Sequence, residues 1–67
     1  MVELFVIKCV DFPFYVCEFT DDAGGVFWTA VKIKAMQIPE GARLLRIINK
    51  LTETTGLDLQ EVPLNTP

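Results

Sequence analysis

Two cysteines, a pair of adjacent aspartates and a lone tryptophan are the side chains most able to do chemistry or anchor a partner here. Cys9 and Cys17 stand in a C-x7-C spacing, which is neither a C-x-x-C redox motif nor a zinc-ligand spacing. A structural zinc takes four Cys or His ligands, and two cysteines with no histidine cannot supply them. Two small apolar thiols side by side on a buried strand face account for the pair. Asp21-Asp22 could hold Mg²⁺ or exchange protons. They run into Ala23-Gly24-Gly25, and no third carboxylate stands at a spacing that would complete a site. Turn chemistry explains them. The glycines lack the lysine and following helix of a phosphate loop. Serine is absent as well as histidine. The sequence therefore predicts no enzyme, no metal and no cofactor.

The remaining candidates bind rather than react. Trp28 belongs to the residue type that most often anchors interfaces. Lys32 and Lys34 alternate nearby, and Arg43, Arg46 and Lys50 follow further on. Aromatics beside lysines suit single-strand nucleic-acid binding, by stacking and phosphate contact. The net charge of −3, from six Lys/Arg against nine Asp/Glu, runs against it, because phosphate neutralisation dominates such affinity.

The elements that position these residues follow from pattern. Val2–Val10 and Phe14–Thr20 are rich in β-branched and aromatic residues and predict strands, broken at Asp11-Phe12-Pro13. Asp21–Gly25 predicts a turn, and Val26–Ala35 a third strand. Pro39-Glu40-Gly41 opens a helix to Thr55, with Pro39 in its first turn and Gly56 as its left-handed stop. Leu44, Ile47, Ile48, Leu51 and Thr55 recur at helical spacing, opposite Arg43, Arg46, Asn49, Lys50 and Glu53. Leu57–Leu64 predicts a last strand, with Pro63 marking an edge or end.

Cross-strand chemistry suggests a register with Cys9 facing Cys17, Lys8 facing Glu18 and Ile7 facing Phe19. Phe19 then faces Phe27. One sheet face would carry Phe5, Ile7, Cys9, Tyr15, Cys17, Phe19, Phe27, Val31 and Ile33 against the helix. The other would carry Leu4, Val6, Val10, Phe14, Val16, Trp28 and Ala30.

The expectation is one α+β domain over residues 1–67, in the order β-β-β-α-β. Its three- or four-stranded sheet is mainly antiparallel, with one amphipathic helix on one face. The last strand is expected parallel to the first and able to pair beside it, giving the order 3-2-1-4, the alternatives being that it leaves the sheet or pairs with another copy. This element order is similar to that of several small folds, including the partial RNase H-like fold of HicB-type antitoxins, and the similarity is of order alone. Chains this short bury a smaller fraction of their surface than larger domains do, so association is expected. The partner is another protein or a second copy, as in a homodimer. No run reaches the roughly 20 apolar residues of a membrane span, and no signal peptide is evident, which implies a cytoplasmic protein. The functional expectation is a non-catalytic protein-interaction module docking through an exposed apolar sheet face or a sheet edge. A regulator or inhibitor of a larger protein, as phages and mobile elements encode, fits the size. The alternatives are a structural homo-oligomer and a single-stranded nucleic-acid binder. The interaction residues are Leu4, Val6, Phe14, Val16, Trp28, Lys32 and Lys34.

Overall fold

The computed structural model describes residues 3–20 and 25–65. The Asp21–Gly24 part of the expected turn lies outside them, as does Val2. Among the described residues five strands form one sheet: β1 (Leu4–Cys9), β2 (Tyr15–Thr20), β3 (Gly25–Thr29), β4 (Ile38–Pro39) and β5 (Leu59–Pro63). An α-helix, α1 (Ala42–Thr55), lies between β4 and β5. The domain is α+β with a wholly antiparallel set of pairings.

β1 is the centre. Phe5 pairs with both Pro63 of β5 and Ile38 of β4, so those strands occupy opposite edges of β1. Lys8 pairs with both Gln60 of β5 and Tyr15 of β2, which puts β2 and β4 on the same edge. β2 therefore meets β1 only near the hairpin end, and the chain of β4 occupies the rest of that edge. The Met36 amide donates to the Val16 carbonyl at 2.9 Å, and the Glu40 amide to the Glu3 carbonyl at 3.1 Å.

The last strand does lie beside β1, as expected, but it runs antiparallel to it. The reason is the short β4, an extra reversal before the helix. β4 and β5 both oppose β1, so they are parallel to each other, and α1 is the crossover between them. A helix joining parallel strands is the usual solution; here the strands flank β1.

α1 begins at Ala42, three residues after Pro39, which sits in β4 instead of the helix's first turn. Gly41, with φ +150° and ψ −174°, makes the corner between them. Gly56 ends the helix at φ +72°, its amide bonded to the Thr52 carbonyl at 2.9 Å. The expected helix face is the buried one: Leu44 and Leu51 are fully covered, and Ile47 and Ile48 partly. They pack on Phe5, Ile7, Val16 and Ile38.

Two registers differ from expectation. The Cys9 amide donates to the Phe14 carbonyl at 2.9 Å, closing the first hairpin tightly, and Lys8 pairs with Tyr15. That is three residues from the chemistry-based register. An odd slip exchanges the faces of a strand, so Val16 joins Phe5 and Ile7 on the helix side. Lys8 does not face Glu18; its ammonium donates to the carbonyls of Cys9 at 3.1 Å and Phe12 at 3.5 Å.

In the second hairpin Val16 pairs with Trp28 and Glu18 with Phe27, so Cys17 is the extra residue of a β-bulge. The bulge corrects parity. Val16 and Phe19 are three apart, yet both reach the core side. Phe27 alternates with Trp28 and so leaves the expected core face; Val31 and Ile33, beyond the end of β3, leave it too, and Ile33 is 73% exposed. β3 also stops at Thr29, and Lys32–Lys34 forms a single 3₁₀ turn in place of the expected strand end.

Candidate functional site

The described residues converge on an apolar cleft at the C-terminal end of α1. It is lined by Cys9, Phe12, Phe14, Trp28 and Leu57 and holds about 230 Å³. Each wall has a local cause. Phe12 and Phe14 sit on the β1–β2 connection, held by the hydrogen bond between Cys9 and Phe14. The Val10 amide donates to the Asp58 carbonyl at 2.9 Å and ties that connection to the segment after the helix.

Leu57 is placed by the helix end. Thr52, Thr54 and Thr55 each donate a hydroxyl to the carbonyl four residues back, at 2.8, 2.9 and 2.7 Å. Such bonds satisfy threonines in a helical context that does not favour them. The Thr55 hydroxyl oxygen also accepts the Leu57 amide at 3.2 Å, fixing the turn that brings Leu57 to the cleft. Trp28 arrives from β3, aligned by its pairing with Val16.

The expected interaction face is divided. Phe14, Val16 and Trp28 are on the helix side, contrary to their expected place on the outer face; the odd register slip moves them. Val16 is fully buried in the core, and Trp28 is half-buried against it. Leu4 and Val6 belong to the opposite face by register. Val6 is fully buried and offers no surface, and Leu4 is half-buried. Lys32 and Lys34 lie on the 3₁₀ turn, and neither lines the cleft. Of the seven expected residues, the structure joins Phe14 and Trp28. It adds Phe12, Cys9 and Leu57. Phe12, half exposed, stands between Asp11 and Pro13 in the connection of β1 to β2, where the sequence read only as a break.

Both cysteines are free thiols. Cys9 is buried, and Cys17 is partly exposed in the bulge, its Sγ 3.4 Å from the Lys34 carbonyl. They do not share a face pairing as expected, because the first register separates them. Among the described residues no group of three or more His, Cys, Asp or Glu could hold a metal ion. No helix among them is long and apolar enough to cross a membrane.

A second groove holds about 320 Å³ between α1 and the sheet. Arg43, Arg46 and Lys50 line it with Phe19, Met36 and Ile47. These cations follow one helix stripe, so the groove rim is positive above an apolar floor.

The fold and cleft define a small sheet-and-helix domain with an aromatic surface cavity. No protein-family model matches the chain, and no curated protein or solved structure is significantly similar to it.

Proposed function

We propose that the chain is a non-catalytic protein-binding module that receives an apolar side chain of another protein in the Phe12–Phe14–Trp28 cleft. One observation carries this reading: five apolar residues line a cleft of about 230 Å³, with Phe12 and Phe14 still 50% and 44% exposed. Ligand pockets for small molecules span roughly 300–1,000 Å³ and carry a few convergent polar groups. This cleft is smaller and has none. It suits one large side chain projected from a partner, the arrangement in which buried aromatic anchors contribute most of the binding energy. Regulation or inhibition of the protein so bound is the role this reading assigns.

The experiment compares the chain with Phe14→Glu as affinity baits in a native lysate treated with nuclease. Circular dichroism first establishes equal folding. A stoichiometric protein retained by the wild type and lost by Phe14→Glu supports the reading. Equal capture by both baits, or recovery of both baits alone, overturns it.

A further inference from the structure

We propose that β3 pairs, edge to edge and antiparallel, with β3 of a second copy of this chain, in a two-fold dimer centred on Phe27. The sheet has two long outer edges, since among the described residues β3 pairs only with β2 and β5 only with β1. They are built differently. β5 (LQEVP) carries Glu61 and Pro63, and charge and proline are the usual devices that keep an edge from pairing. β3 (GVFWT) has neither. Its central residue, Phe27, is 57% exposed.

A second copy is the occupant because the strand is complementary to itself. About a two-fold axis at Phe27, that ring meets Phe27 of the second copy on the side facing away from α1. Val26 meets Trp28 of the second copy on the helix side, and Trp28 meets its Val26. Aromatic–aromatic and aromatic–β-branched pairs are the favourable cross-strand pairs, and no like charges are brought opposite. Val26 and Trp28 already pack against the core, so the paired sheets would continue both cores across the axis.

Each chain carries −3, but among the described residues the charge in register with the axis is held apart in the pair. Among the described residues, the carboxylate in register with the axis is Glu18, opposite Phe27 on β2. Two copies of Glu18 would be separated by three strand spacings, about 14 Å. That exceeds the screening length of about 8 Å at physiological ionic strength. The two sites share Trp28, which lines the cleft from β3, but Phe12 and Phe14 lie outside the β3 edge, so a change at Phe14 tests the cleft alone.

Light scattering on the wild-type chain from micromolar to millimolar concentration should show twice the chain mass of 7.5 kDa. Phe27→Lys is the discriminating variant. In the monomer its ammonium lies opposite Glu18, so folding is retained. In the dimer two lysines would face each other, and the chain should stay monomeric with an unchanged dichroism spectrum. Phe27→Cys, mildly oxidised, should form a disulfide mapped by mass spectrometry to position 27 of both chains. Directly opposed antiparallel residues have Cα atoms about 4.5–5.5 Å apart, within the range a disulfide spans. Phe14→Glu should remain dimeric, which separates failure of this inference from failure of the cleft reading. A wild-type monomer throughout, a dimer that survives Phe27→Lys, or a disulfide mapped elsewhere overturns it. Capture of a foreign protein through an intact Phe27 by a chain that stays monomeric also overturns it.

Discussion

Replacing Leu51 by alanine tests the docking of the helix on the sheet, on which the rest of the fold depends. Leu51 has no exposed surface and meets the sheet side chains Phe5, Ile7 and Val16 in one cluster. Burial this complete places Leu51→Ala within the observed Leu→Ala range of about 2–5 kcal/mol, combining lost transfer energy with a residual cavity. Domains have about 0.05–0.15 kcal/mol of stability per residue. For 67 residues that gives about 3–10 kcal/mol in total. The substitution should therefore remove a large share of it. At about 4–8 °C per kcal/mol for domains of this size, a loss near 3 kcal/mol lowers the melting temperature by roughly 12–24 °C. Thermal and urea melts followed by far-ultraviolet dichroism and Trp28 fluorescence measure it, at one fixed protein concentration because association adds stability. Leu45→Ala is the control: the same residue type on the same helix, 58% exposed, with an expected change within about 0.5 kcal/mol. Equal losses for the two variants would refute the assignment of the buried helix face.

Gly56→Ala has open space for its Cβ but keeps φ at +72°, so the cost is conformational alone, about 1–2 kcal/mol in a urea melt. Gly41→Ala, also unhindered but at φ +150°, should cost on the order of 1–3 kcal/mol; a neutral result would show that the β4–α1 corner relaxes. Thr55→Val deletes the hydroxyl that bonds both Leu51 and Leu57 and should cost about 1 kcal/mol, with faster amide exchange at Leu57. In the native protein Cys17 should react with a maleimide well before Cys9, which is 1% exposed; equal rates would contradict the bulge placement.

Part of this architecture was legible in the residues alone. The helix face of Leu44, Ile47, Ile48 and Leu51 and its stop at Gly56 follow from periodicity and from glycine's tolerance of a left-handed conformation. The strand segments are nearly right at both ends of β1 and β5. Pro39 misled, because proline is equally at home at a helix start and on a strand edge, and Gly41 took the corner.

The faces of the strands were not legible, and the candidate site changed with them. A register built on pairing Lys8 with Glu18 is locally sensible, but surface ion pairs contribute about 0–1 kcal/mol. Burying Val16 fully contributes about 1.5–3 kcal/mol, and the observed register does so. The bulge at Cys17 has no signature in composition, since any small residue can be the extra one. It decides that Phe19 is inside; Phe27 is outside because it alternates with Trp28, whose face the Val16 pairing sets.

An α+β domain with an amphipathic helix, a Gly56 stop and a set of strand formers rich in aromatics follows from the order of residues. These are local properties, set by side-chain shape and by the 3.6-residue and two-residue periods. Tertiary structure alone decided which aromatics are exposed, the antiparallel direction of β5, and the gathering of Phe12, Phe14, Trp28 and Leu57. Those outcomes rest on register, and register is a contest among whole sheet faces that no single stretch of chain contains.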